Sequence, residues 1–170
     1  MLVKELEINS IRQNKITLIK NFASLTRGYD FNLLSKLMEE NDLMIGQKSC
    51  VGSLKDVFQV YKVSNTLQEF KIFFDFLSKL FKYERDPKDE VDLFFSFVSQ
   101  VGNTHVDAED VFIIGLKGTT IYRIFDTKNE DYCIEKGDMI FIPKGKKHKV
   151  LGMNPRIIAS IGFYGKRLNG

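Results

Sequence analysis

Histidine is scarce in this chain: His105 and His148 are the two among 170 residues. Any imidazole-based metal site must use one or both of them. A three-histidine zinc site is excluded, and no histidine is left over for a separate catalytic base. Cysteine is equally scarce. Cys50 and Cys133 form no C-x-x-C pair and suggest no disulfide framework, which points to a reducing cytoplasm. No apolar run approaches the roughly 18 residues of a membrane helix, so no membrane partner is expected. The start of the chain, Met1 to Ile11, shows no apolar stretch of a secretory signal. A dominant charge is missing as well: 25 Lys and Arg against 22 Asp and Glu leave +3, too little by itself to imply nucleic acid. There is no Gly/Ser or Pro-rich linker and no internal repeat, so one domain over 1–170 is expected, with a mixed part to residue 90 and a β-rich part from 91.

What is present is aromatic and apolar. Fifteen Phe and six Tyr, within 44% hydrophobic residues, exclude a disordered chain and provide for a real core. The first half mixes periods. Lys15 to Lys20 is short and β-branched, as a strand requires. Asp30 can cap a helix carrying Phe31, Leu34, Leu37 and Met38, with Asn41 as its stop. Val57 to Val63 alternates as a strand does. Thr66-Leu67-Gln68-Glu69 fits a capping box, and the helix after it places Phe70, Phe73, Phe74, Leu77, Leu80 and Phe81 along one face. That stripe reads as core rather than as a ligand box. Arg85 to Asp89 closes it as a charged turn.

From Leu93 the period changes. Leu93–Val98, Val111–Leu116, Thr120–Phe125, Asp138–Ile142, Lys149–Leu151 and Arg156–Phe163 read as short strands. Turn pairs such as Lys117-Gly118, Lys136-Gly137 and Asn154-Pro155 separate them. Many short strands at this spacing argue a β-sandwich or barrel.

Two patterns in this half carry chemistry. In Gly102-Asn103-Thr104-His105-Val106-Asp107, the His and Asp are two apart and share a face of an extended segment. In Gly137 to His148, a strand ends in the turn Pro143-Lys144-Gly145 and delivers His148 just beyond it. Two imidazoles and one carboxylate are the donor set of the facial triad that holds Fe(II) and leaves coordination positions open.

These residues resemble the cupin superfamily. Gly137, Pro143, Gly145 and His148 match its second motif, G-x5-P-x-G-x2-H; Gly152 stands where that motif closes on asparagine. Asp107 stands where small cupins have a second His, and Val111 where they have Glu. The H-x-D…H pattern, and the stretch Thr104 to Phe112, are similar to JmjC-type cupins, the Fe(II)- and 2-oxoglutarate-dependent oxygenases. That stretch also looks like the H-x-D segment of the ribosomal-oxygenase and asparaginyl-hydroxylase branches. The resemblance implies a mainly β, double-stranded β-helix (jelly roll) with N-terminal helices packed outside. It also implies a hydroxylase acting on a protein, peptide or small molecule. His105, Asp107 and His148 carry over as the ligands of Fe(II), with Mn, Ni or Zn as substitutes. For 2-oxoglutarate, the family lysine two residues after the glycine at Gly118 is Thr120 here. Thr120, with Tyr122 on the same face and Ser160 on the last strand, are the candidate cosubstrate donors.

Plainer readings stand beside these. A cupin of other chemistry (an isomerase, an epimerase or a sugar-binding module) is favoured by Thr120 in place of lysine. A non-enzymatic interaction module would use the barrel as a scaffold. Lys144 to Lys149 reads as a solvated basic rim that can attract an acidic substrate, and no nucleic-acid partner is expected. Glu109 and Asp110 read as a solvated turn, and Cys133 as a packed thiol rather than a nucleophile. A homodimer is allowed, with the Phe-rich helix either on its face or on the barrel.

Overall fold

Strand alternation in the second half sets the architecture, and a computed structural model shows how. It describes residues 3–23, 28–40, 45–46, 57–60, 63–65 and 67–168. In chain order the elements are α1 (Glu5–Arg12), β1 (Thr17–Ile19), α2 (Phe31–Glu40), β2 (Ile45–Gly46), β3 (Phe58–Val60), a 3-10 turn at Val63–Asn65 and α3 (Gln68–Phe81). Then follow β4 (Glu90–Ser96), β5 (Gln100–Val101), β6 (Asp110–Lys117), β7 (Thr120–Phe125), β8 (Asn129–Ile134), β9 (Met139–Ile142), β10 (His148–Gly152) and β11 (Arg156–Phe163). Two antiparallel sheets result, one ordered β1-β9-β6-β11-β4-β3-β2 and the other β5-β10-β7-β8. Facing each other, they form the jelly roll.

The large sheet is buried on both faces, which is why its strands read as nearly continuous apolar runs. On β6, Phe112 and Ile114 point outward, while Val111 and Ile113 point into the barrel. The same alternation on β11 sends Ile157, Ala159, Ile161 and Phe163 out and Ile158 in. The outer face is covered by the helices. Phe74 of α3 stacks on Phe163 at 4.9 Å between ring centroids, and Phe81 stacks on Phe112 at 5.4 Å. The aromatic stripe of α3 therefore is core, and that helix lies on the barrel. The inner face packs Val111, Ile113, Ile140, Ile142 and Ile158 against Tyr122, Ile124 and Ile134 of the small sheet. Asp30 caps α2 as expected, accepting from the Leu33 N–H at 2.7 Å.

Some elements differ from expectation. Of the expected Val57–Val63 strand, β3 covers Phe58–Val60 and a 3-10 turn begins at Val63, while 61–62 lie outside the described residues. Helix α3 starts after Leu67, with no side-chain cap, and Glu69 accepts instead from the Tyr29 hydroxyl at 2.5 Å. Thr66 and Asn41, the expected cap and stop, lie outside the described residues. The start of the chain forms α1, whose first turn is closed by Glu7 accepting from the Lys4 N–H at 2.7 Å. The expected strands at Thr120–Phe125 and Arg156–Phe163 have those bounds. Strands β5 and β8 were not expected. β8 is the exposed edge of the small sheet, so its sequence, Asn-Glu-Asp-Tyr-Cys-Ile, carries no apolar alternation. Asp110 was expected in a solvated turn; it is buried and begins β6. Cys133 is exposed rather than packed. Among the described residues no helix is long and apolar enough to cross a membrane.

Candidate metal centre

One rung of backbone hydrogen bonds builds the centre. The His105 N–H donates to the His148 carbonyl at 2.8 Å, and the His148 N–H returns a bond to the His105 carbonyl at 2.9 Å. Two residues on, the Asp107 carbonyl accepts from the Gly145 N–H at 3.0 Å. Gly145 has φ +80°, a conformation that suits glycine, so the Pro-x-Gly turn is what lets that bond form. The turn is anchored further by the buried Asp110 carboxylate. It accepts from the Lys144 N–H at 2.9 Å and the Tyr83 hydroxyl at 2.7 Å, and it pairs with Arg167 Nε at 3.1 Å. Burial and the neighbouring Asp110 push the Tyr83 phenol up, so it stays a donor.

The three side chains converge. Asp107 sits between the imidazoles, one carboxylate oxygen 3.7 Å from His105 Nε2 and the other 3.5 Å from His148 Nε2. A metal with bonds of about 2.1 Å bridges donors up to about 4.2 Å apart. Each Nδ1 faces a backbone carbonyl, Asn103 at 3.0 Å for His105 and Lys146 at 2.9 Å for His148. Those carbonyls select the Nδ1–H tautomer and leave both Nε2 lone pairs free for a metal, the usual outer support of a ligating histidine. Burial lowers the pKa of His148, whose side chain is 2% exposed, and so favours the neutral, ligating form. His105 and Asp107, 33% and 25% exposed, face the opening. Among the described residues this is the one group of His, Cys, Asp and Glu so clustered. The donor set fits Fe(II).

Behind the centre lies a cavity of about 340 Å³ between the sheets. Tyr122 and Ser160 line it, as does Arg156. Thr120 does not line it. It is buried on the same strand face as Tyr122, opposite Gly152 on β10, and the guanidinium of Arg156 covers Gly152. Sequence reasoning thus missed Arg156. It is 6% exposed, donates to the Val98 carbonyl at 3.2 Å, and among the described residues is the one Lys or Arg lining the cavity. Burial lowers its pKa, yet an arginine starts high enough to stay cationic. Two signals pointed to it. Arg156 has the parity of Ser160 on one strand, and Gly152 stands where the motif has a side chain. A Cβ on Gly152 would fall closer than 3.0 Å to Arg156 Cζ, Nη1 and Nη2, so the guanidinium occupies the space that asparagine would fill.

Four carboxylates line the same cavity, Glu90, Asp92 and Glu109 besides Asp107. Asp92 accepts from the Gln59 amide, and burial, then the Asp107 charge, raises the Glu109 pKa. Burial also pushes the Tyr164 phenol, bonded to Glu109, up to about 12.

No protein-family model matches the chain, and no curated protein sequence matches it. Solved structures do. YcfD, a ribosomal oxygenase from Escherichia coli in complex with cobalt and 2-oxoglutarate, superposes with TM-score 0.71 at 18% identity, over 99% of this chain and 53% of that one. The same protein with cobalt and succinic acid gives 0.70 at 18% identity, over 99% and 53%. An oxidoreductase of the 2OG-Fe(II) oxygenase family from Burkholderia pseudomallei gives 0.61 at 11% identity, over 99% and 96%. The chain thus spans about half the length of YcfD. At these identities the likeness establishes the fold: the chain has the double-stranded β-helix of these oxygenase structures.

Proposed function

We propose that the protein is a non-haem Fe(II)- and 2-oxoglutarate-dependent dioxygenase of the JmjC-like cupin type, a hydroxylase of a protein, peptide or small molecule. His105, Asp107 and His148 would hold the metal. The observation that carries the reading is Arg156, a buried cation lining the same cavity as the triad. A dicarboxylate held at the metal can therefore turn its free carboxylate toward Arg156. The planar guanidinium fork is suited to receive it.

Bound there, Fe(II) and 2-oxoglutarate would supply the oxidising chemistry: the keto acid and dioxygen are consumed, succinate and carbon dioxide leave, and a substrate C–H bond gains an oxygen. The chain's own residues do the rest. The two Nδ1–H bonds to backbone carbonyls hold the imidazoles facing Asp107. Arg156 orients the diacid, with the Tyr122 hydroxyl and Ser160 as further donors to it. Ile113, Val150 and Ile158 keep water from the cavity wall. We place the protein in the cytoplasm, consistent with a free, exposed Cys133.

The test is an anaerobic titration of the Fe(II)-loaded protein with 2-oxoglutarate, followed by admission of oxygen. A visible charge-transfer band and oxygen-dependent release of succinate are expected. Stoichiometric metal with neither band nor succinate would overturn the reading in favour of a cupin of other chemistry.

A further inference from the structure

A second cavity, of about 640 Å³, opens on the far side of the Pro143–Lys146 turn. Four separate parts of the chain build it: Arg12 and Asn14 at the end of α1 and just beyond it, Lys82 after α3, the turn itself with Lys144 and Lys146, and Lys166 and Arg167 after β11. Its floor is fixed by backbone pairing. The Glu84 N–H donates to the Lys166 carbonyl at 2.8 Å, and the Leu168 N–H to the Lys82 carbonyl at 2.9 Å.

The lining carries six cations and one acid, Asp110. Arg167 is committed to Asp110, and Lys146 to Asp126 at 2.7 Å. That leaves Arg12, Lys82, Lys144 and Lys166, all exposed and in no ion pair among the described residues. A structural reason exists for two of them. Arg12 lies in the last turn of α1 and Lys82 caps α3, where cations complement the helix dipoles. It does not reach Lys144, on a turn, or Lys166, in the C-terminal segment. Two non-glycine residues in the lining, Asn14 at φ +58° and Lys82 at φ +53°, also hold left-handed backbone. Like charges so gathered repel one another unless an anion joins them.

The groove adjoins the metal centre. Gly145, in the turn that forms its wall, bonds the Asp107 carbonyl, and Tyr164 lines both cavities. A chain whose reacting residue enters the first cavity therefore passes Tyr164 into the second. The two differ in sign, the first lined by four carboxylates and one arginine and the second by six cations and one acid, so they select different parts of one ligand. We infer that the groove holds an acidic segment of a polypeptide substrate, Asp- or Glu-rich, flanking the residue presented to the metal. This rests on the oxygenase reading for its purpose, though not for the binding itself.

The probe is a fluorescein-labelled octaglutamate peptide, followed by anisotropy with the full chain loaded with Mn(II) and 2-oxoglutarate. Binding is expected at about 50 mM salt and should weaken steeply by about 200 mM, as screening of exposed charges requires. Arg12→Glu with Lys166→Glu should weaken it at least about tenfold, roughly 1.4 kcal/mol. Lys128→Glu, in the turn between β7 and β8, should leave it unchanged. Metal and 2-oxoglutarate binding, measured on the same variants, should also be unchanged, so that failure of the groove is distinct from failure of the active-site reading. No binding by the wild-type protein at low salt, or equal binding by the double variant, would overturn the inference. Tighter binding of a uridine octanucleotide that responds to the same substitutions would overturn it too, by assigning the groove to nucleic acid.

Discussion

Gly152→Ala is the most exacting test of the proposed cosubstrate site, because it adds one methyl group and touches no charge. The backbone permits it: Gly152 is not among the glycines with positive φ, and it sits in a regular ladder opposite Thr120. The new Cβ would fall inside 3.0 Å of three guanidinium atoms of Arg156. Carbon contacts settle near 3.5 to 4.0 Å, so the guanidinium must retreat by about an ångström or more. A hydrogen bond lengthened that far is lost. Hydrogen bonds to charged groups contribute about 1.5–3 kcal/mol. The dissociation constant for 2-oxoglutarate should therefore rise by about 10- to 150-fold. Calorimetric titration of the Mn(II)-loaded protein without oxygen measures it. Arg156→Ala should show a similar loss, and the double variant little more, because both remove one interaction. Metal affinity should stay as in the wild type. If Gly152→Ala binds 2-oxoglutarate within about twofold of wild type while remaining folded, Arg156 does not anchor the cosubstrate, and the reasoning fails.

Other outcomes follow from the same geometry. Alanine at His105, Asp107 or His148 should each lower metal affinity more than about 100-fold, beyond the loss typical of outer-shell changes; near-stoichiometric metal after dialysis of any one would refute the triad. Phe112→Ala removes a fully buried ring packed on Phe81, Tyr83, Phe141 and Phe163, at a cost of about 3–5 kcal/mol. For a chain of this length that lowers Tm by about 6–20 °C, measured by circular dichroism on metal-free protein. Asp110→Ala leaves Arg167 and the Tyr83 hydroxyl without their buried partner and frees the Pro143–Lys146 turn. It should cost about 3–5 kcal/mol and also weaken metal binding, whereas a stability loss with unchanged metal affinity would show that the turn needs no such anchor.

What the sequence made legible was local. The proposed metal ligands sit in two short windows, each with its own turn chemistry, and a Pro-x-Gly turn followed by histidine constrains its backbone wherever it occurs. Strands buried on both faces, such as β6 and β11, were legible because their apolar runs are long and bounded by turns. Strand β8 was not, because an exposed edge strand needs no apolar face and writes no alternation. Nor was the role of Asp110. Glu109 and Asp110 together read as a solvated turn, and the burial of Asp110 follows from Tyr83, Lys144 and Arg167, which lie far apart in the chain.

The proposed cosubstrate site lies between these cases. The parity that puts Ser160 inside the barrel also puts Arg156 there, since the two are four apart on one strand and both line the cavity. Parity alone is weak evidence for burying an arginine, because the desolvation penalty makes an exposed position the default. What changes the balance is room. Gly152, read by itself, is a motif position lost; opposite Thr120 and beneath Arg156 it is the space that admits a guanidinium. The missing asparagine, the missing family lysine at Thr120 and the buried arginine are then one exchange across three strands. On this reading the positive charge has moved from β7 to β11 and the neighbouring side chain has shrunk to make way. Restoring the lysine by Thr120→Lys should therefore fail to rescue Arg156→Ala unless Gly152 is also enlarged, because the site's shape has been rebuilt around the arginine. Full rescue of 2-oxoglutarate affinity by Thr120→Lys alone would show instead that position 120 has kept its access to the cavity.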